Sequence, residues 1–358
     1  MRKVEKTNKA VLVWMKLGLL LVFIQIIIGG VTRLTGSGLS ITKWEIVTGA
    51  IPPLSESAWD KEFEAYQQTP QFQKINRDFT LSEFKFIYFW EYFHRLWARM
   101  MGFVFVFPLL VFLWKGWIPR NVLKRLIVVF VLAGLAAIFG WIMVASGLSE
   151  RPWVNAYKLS IHLSLALLVL GYLLWTYLLT RFPLSGIVRK RSTYILVVMI
   201  SAQIFLGALM SGMKAALIYP TFPDYHGKWI PAVLTSLSNW SVDNLVYYDK
   251  SAFASALIQF AHRNLAYMLI ISVLYVFFWK KWFWKRKGMG WPSAMLIILL
   301  IIQIILGVSI LVNSIGSIPV ASGVLHQVVG ILILCTVLYL HYFNINITDP
   351  LVGDQVTR

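Results

Sequence analysis

The chain of 358 residues is 58% hydrophobic and only 13% charged, with a mean hydropathy of +0.70. Soluble domains carry about 25% charged residues, so the composition excludes an ordinary soluble fold and indicates an integral membrane protein. The net charge of +18 does not mark a nucleic-acid binder. Its excess falls on alternate connections between apolar runs, at Lys115 to Arg125, Arg181 to Arg191 and Lys280 to Lys287, which is the positive-inside pattern and places both termini in the cytoplasm.

Eight apolar runs are long enough to cross a bilayer, which takes about 20 residues. The chain opens on a short basic lead, Met1 to Lys9, without the small-residue cleavage site of a signal peptide. The first span is predicted at 11–32 and contains Gln25-Ile-Ile-Ile-Gly29. A long outer loop, 33–85, follows. Within it Trp59, Phe63 and Tyr66 fall at i, i+4 and i+7, an amphipathic stripe suited to the membrane surface or the bundle mouth. Thr69-Pro70 predicts a helix start, and Thr80-Leu-Ser-Glu83 a capping box leading into the second span.

Spans two to four are predicted at 86–114, 124–146 and 157–180. Spans five to eight follow at 192–213, 253–280, 292–312 and 320–343, with a second long outer loop at 214–252. The single cysteine, Cys335, lies within the last span and reads as packing.

The chain divides near 185 into halves of four spans each. Four is even, so the halves share an orientation and are parallel repeats. The Gln-x-x-x-Gly phrase recurs at Gln203–Gly207 and Gln303–Gly307, while the third span keeps Gly140 with Ala136 in the Gln position. The expected fold is an all-α membrane protein of eight transmembrane helices, arranged as two pseudo-two-fold-related four-helix bundles. They comprise residues 1–185 and 186–358.

Two further phrases match. Glu91-Tyr-Phe-His94-Arg95 and Gln259-Phe-Ala-His262-Arg263 each lie near the start of an even span, and His162 and His326 open the other two even spans. All four histidines therefore lie at similar depth towards the outer face. Ionisable residues inside spans are costly and tend to be functional. Pairs of histidines on separate helices of a bundle suit haem, with one imidazole on each face of the iron. The repeat favours pairing His94 with His162 and His262 with His326. Arg95 and Arg263 follow two of these ligand candidates, and Arg33, Arg99 and Arg151 lie at the same face. All five are candidate partners for haem propionates, or interfacial anchors. His226 and His341 break the pattern and read as structural.

Glu91 and His94 share a helix face, being three residues apart. A carboxylate beside the porphyrin edge can accept a proton or stabilise developing positive charge. Gln259 can do neither, so the first half reads as the reacting site and the second as a holder of permanent cofactor. On the residues alone, a dihaem b-type membrane electron carrier or a haem transporter or chaperone stays open.

The chain resembles the haem A synthase family, in the subgroup shared by mitochondria and many bacteria. The resemblance rests on GGVTRLTGSGLSITKW from Gly29, IPP at 51–53, WDKEFEAYQQTPQF, EFKFIYFWEYFHRLWARMMG, GWIMVASGL, RPWVNAYKLSIHL, YPTFPDYHGKWIP and QFAHRNLAY. It implies oxidation of a methyl group of haem O to a formyl group, by successive hydroxylations, giving haem A for terminal oxidases. By motif position it implies Glu91 as the catalytic carboxylate. His94 and His162 would hold the substrate haem, and His262 and His326 a resident haem b. It also implies exchange with a haem O synthase and delivery to the cytochrome oxidase assembly machinery, while the short basic lead fits a bacterial inner membrane, the basic clusters fit contact with membrane lipid, and the residues do not identify the electron acceptor. A homo-oligomer is compatible with such a chain. Two departures stand out. The loop cysteine pair of another branch is absent, and Ala215-Ala216 replaces an expected Ala-Gly step.

Overall fold

The computed structural model describes residues 7–43, 51–149, 151–184, 191–279 and 290–345. Both chain ends, most of the basic stretch Arg181 to Arg191 and all of Lys280 to Lys287 lie outside the described residues, as does the boundary near 185. The described residues form helices: α1 (Lys9–Leu34), α2 (Glu56–Gln67), α3 (Pro70–Lys74), α4 (Leu81–Trp114), α5 (Arg120–Ser149), α6 (Ala156–Arg181), α7 (Arg191–Gly212), α8 (Ala232–Thr235), α9 (Val242–Val246), α10 (Phe253–Leu274), α11 (Gly290–Val312) and α12 (Val320–Ile345). Eight of them, α1, α4, α5, α6, α7, α10, α11 and α12, are long and apolar enough to span a membrane. They match the eight predicted runs.

Local chemistry explains the starts. Asn8 caps α1 through the amide of Ala10, and Asn155 caps α6 through the amides of Tyr157 and Lys158. Thr80 and Glu83 form the predicted capping box, and Thr69 caps α3 with Pro70 in its first turn. Because of this box, α4 begins five residues before the predicted apolar run, giving it an extended N-terminal stretch.

That stretch carries the loop helices. Tyr66 stacks on Phe84 at 5.1 Å, and Trp59 meets Tyr88 edge-on at 5.0 Å. Of the two placements the stripe allowed, the structure adopts the bundle mouth.

Adjacent spans pack as α1 on α4, α5 on α6, α7 on α10 and α11 on α12, and α1 also meets α6 as α7 meets α12. Between the halves, α6 meets α7 and α1 meets α12, and α6 touches α12. Thus α1, α6, α7 and α12 form the middle, with α4, α5, α10 and α11 at the flanks. The central core includes Leu170, Leu196, Ile200, Val273, Leu296 and Val337. Large apolar side chains such as Phe107, Ile271 and Ile305 remain more than half exposed on the spans, as a lipid-facing surface requires.

Candidate functional site

Each histidine of the even spans faces a glycine of the preceding odd span. A Cβ added at Gly29 would stand 3.1 Å from Cε1 of His94, at Gly140 2.9 Å from that of His162, at Gly207 3.3 Å from that of His262 and at Gly307 3.1 Å from that of His326. An added methyl group would crowd each ring, and at Gly140 it would come closer than real contacts allow. The four contacts gather at one end of the bundle, where α1, α5, α7 and α11 finish and their partners begin.

The glutamine of each repeated phrase reaches the same ring. Gln203 Nε2 donates to the carbonyl oxygen of His262 at 3.0 Å and lies 3.2 Å from its Nε2. Gln303 Nε2 lies 3.1 Å from Nε2 of His326. Gln25 Nε2 donates to the carbonyl of His94 at 3.2 Å and straddles both ring nitrogens, 3.2 Å from Nδ1 and 3.4 Å from Nε2. The third span has Ala136 in that position, and Nδ1 of His162 lies 2.8 Å from the Ala136 carbonyl oxygen. The sequence shows this register, but as a repeat and a packing signal only. That the glutamines would touch the histidines depends on helix pairing.

Glu91 is 2% exposed. Its Oε2 accepts hydrogen bonds from the Ser40 amide at 2.7 Å, the Ser40 hydroxyl at 2.8 Å and the Ile41 amide at 2.9 Å. Its Oε1 pairs with Arg95 at 2.5 Å. The chain reaches Ser40 through a turn at Gly36, whose φ of +70° suits glycine. Gln71 of α3 clamps that turn by donating to the Gly36 carbonyl at 2.8 Å. Tyr66 accepts from Asn76 and donates to Gln71, and burial pushes its phenol up to about 12.

The second half inverts this arrangement. Gln259, fully buried, donates through Nε2 to the Tyr219 carbonyl at 3.0 Å. Arg263 donates to the carbonyls of Tyr219, Thr221 and Asp224 and stacks over Tyr225 at 4.2 Å. At position 91 the first half thus meets its loop with an anionic acceptor against backbone N–H groups, while Arg95 donates to the carbonyls of Ile41 and Lys43, as Arg263 does to those of its own loop. The second meets its loop with donors against backbone carbonyls. Ala215 and Ala216 lie in a buried 3-10 turn after Lys214.

The residues fit haem. Two imidazoles are available per half, each set against a glycine at the same end of the bundle. Buried polar atoms lacking a protein partner cluster at these rings: Nδ1 of His262, Nδ1 of His326 and the amide oxygens of Gln25, Gln203 and Gln303. Among the described residues no three His, Cys, Asp or Glu side chains converge as a multi-ligand metal site would require. The donor set instead suits one imidazole above and one below a flat macrocycle.

The family model described as COX15-CtaA, cytochrome oxidase assembly protein, matches residues 12–338. The chain belongs to this family. A heme A synthase of Flavobacterium johnsoniae is 35% identical, the match covering 94% of this chain and 98% of that protein. One from Bradyrhizobium diazoefficiens is 38% identical over 91% of this chain and 89% of its own length. One from Parvibaculum lavamentivorans is 40% identical over 81% and 83%.

In this COX15-CtaA protein the five arginines diverge. Arg95 and Arg99 line a cavity of about 200 Å³ together with Lys43, Tyr88 and Glu62. Arg33 crosses to the Ser211 and Gly212 carbonyls at the end of α7. Arg151 pairs with Asp249 at 2.9 Å, and the Arg263 guanidinium is committed to its loop. The residues that sequence reasoning missed are Ser40 and the three glutamines. Ile41 acts through its backbone amide and Ser40 through its amide as well as its hydroxyl, and backbone amides have no sequence signature. Of the two histidines set aside, His226 is exposed in the second loop, and His341 lies 2.8 Å from the Thr193 hydroxyl at the opposite end of the bundle.

Proposed function

We propose that this protein is a haem A synthase, an oxidoreductase that converts the substrate haem O to haem A by oxidising a ring methyl group to a formyl group. The observation that carries the reading is the contrast between Glu91 and Gln259. Equivalent positions beside equivalent histidines are held by loops of opposite hydrogen-bonding polarity. A pure electron carrier or haem transporter has no need of a buried, fully oriented carboxylate on one side only.

In this reading His94 and His162 hold the substrate in the N-terminal bundle, residues 1–185. His262 and His326 hold a resident haem b in the C-terminal bundle, residues 186–358. The recurring helix pairs support a two-fold relation between the bundles. The resident group would supply redox chemistry. Glu91 supplies fixed negative charge where positive charge develops on the substrate edge, an effect worth most in a dry site. Three donors fix its Oε2, and the Arg95 guanidinium holds its Oε1. Arg95 and Arg99, with Lys43, would face propionates in their cavity. Arg33, Arg151 and Arg263 brace the surrounding segments. In this reading the histidine end faces outward across a bacterial inner membrane, which the basic alternate connections support. Supply by a haem O synthase and delivery to oxidase assembly follow from the reaction.

The test supplies haem O to the purified protein with an electron acceptor and identifies the extracted product by mass. Formyl-bearing haem is the expected result. Unchanged haem O on haem-loaded, folded protein would overturn the reading in favour of a carrier or transporter.

A further inference from the structure

Haem O differs from haem b by a long isoprenoid chain in place of one vinyl group, so a site that takes haem O must house a tail that haem b lacks. The first bundle has an opening for it. The consecutive spans α4 and α5 lack the close backbone packing that joins α1 to α4, α5 to α6 and α1 to α6. On the inner part of α5, Val122, Leu126 and Val129 are buried, but none of residues 130–146 is. The gap is floored by Phe105 of α4, stacked on Phe130 of α5 at 6.2 Å. Gly102 lies three residues from Phe105 and Gly134 four from Phe130, spacings that share a helix face. Both glycines therefore border the gap, about 9–12 Å inward of the histidine level at 1.5 Å per residue. A Cβ added at either would meet nothing within 4 Å.

The repeat supplies the contrast. In the register set by the histidines and their facing glycines, Gly102 corresponds to Ile270. Ala133, Gly134 and Ala137, on the Phe130 face of α5, correspond to Leu300, Ile301 and Ile304. Where the first half has hydrogen atoms and methyl groups, the second has branched side chains.

We propose that the gap between α4 and α5 is a slot that receives the isoprenoid chain of haem O from the lipid side, and that Ile270 and Ile301 fill the same path in the second half, which takes tail-less haem b. This rests on the haem A synthase reading. The slot runs inward from the level of His94 and His162, and its walls are apolar, which suits a hydrocarbon chain attached to a haem held at those rings. Lipid tails are as apolar as the slot, so selection comes from available space and close packing rather than from burial. Gly102 and Gly134 are thus specificity residues that act by leaving room.

The experiment uses the full-length protein with haem b resident in the second half. Ferric haem O and ferric haem b are titrated separately into the first half and followed by the Soret band, with His162→Ala identifying the first-half signal. Wild-type protein is expected to bind haem O more tightly than haem b. Gly102→Ile combined with Gly134→Ile, which installs the residues of the second half, is expected to weaken haem O roughly 5–100-fold, as overpacking does, and to leave haem b unchanged. Resident haem b per polypeptide reports that the variant is folded. If the pair does not assemble, Ala137→Ile alone carries the same comparison with a smaller loss. Unchanged haem O affinity in a folded variant would sink the proposal, and so would an equal fall for both haems, the outcome if a membrane acyl chain fills the gap instead. Wild-type protein that binds both haems equally defeats this inference alone. Haem O that is preferred but never converted defeats the haem A synthase reading and leaves the slot standing.

Discussion

His162 sits tightest of the four rings against its glycine, and this ranks the response to a single methyl group. Gly140→Ala would put a Cβ 2.9 Å from the ring, inside any real contact, while Gly207→Ala would put one 3.3 Å from His262. Overpacking of this kind costs about 1–3 kcal/mol. Gly140→Ala is therefore expected to empty the first haem site while Gly207→Ala keeps most of the second, read from haem content per polypeptide. At Glu91 the expectation is a split between binding and chemistry. Glu91→Gln should retain haem and lose conversion by roughly 10²–10³-fold, scored as formyl product per bound haem. A normal rate in that variant would remove Glu91 from the reaction.

The loop helices reach Glu91, the proposed reacting carboxylate, through one turn. Gly36 holds a positive φ, Gln71 holds Gly36, and the turn delivers the amides of Ser40 and Ile41 to Glu91. An alanine at position 36 costs about 1–2 kcal/mol in the left-handed region. Gly36→Ala should lower conversion with bound haem unchanged, separable by product per haem. How far this was legible is instructive. The Thr80–Glu83 box and the Trp59, Phe63, Tyr66 stripe are local patterns and read directly, because their partners lie within a turn or two. The Gln71–Gly36 clamp and the Ser40 amide on Glu91 join residues 35 and 51 positions apart. They depend on how the loop folds back over α4, which no periodicity encodes. The arginines were harder still: their placement at one face was legible, but a guanidinium binds carbonyls as readily as carboxylates, and only the fold shows which are near.

Across the whole molecule the halves are stitched at the histidine end. Tyr248 of the second half accepts from the buried Ala156 amide at 2.9 Å, Tyr157 donates to the Leu245 carbonyl at 2.5 Å, and Arg151 pairs with Asp249. Tyr248→Phe leaves the Ala156 amide unsatisfied and should cost about 1–3 kcal/mol, visible as earlier thermal unfolding. Asp249→Asn breaks a partly exposed pair and should cost under about 1 kcal/mol. Orientation is testable on the same scale. In a Cys335→Ser background, Ser238→Cys should react with an impermeant maleimide added outside intact cells, and Lys115→Cys should not. The reverse result would invert the proposed topology.

The opposed hydrogen-bonding at positions 91 and 259 bears on how the repeat could have diverged. Restoring a carboxylate at position 259 would set it 3.0 Å from the Tyr219 carbonyl, oxygen against oxygen, in a fully buried place. Gln259→Glu should therefore weaken the second site rather than create a second reactive one. A point mutation could remove the carboxylate from one copy, but returning it would require the main chain of an entire loop to be rebuilt. The proposed division of labour between the halves would then work as an evolutionary ratchet, with the backbone as its pawl.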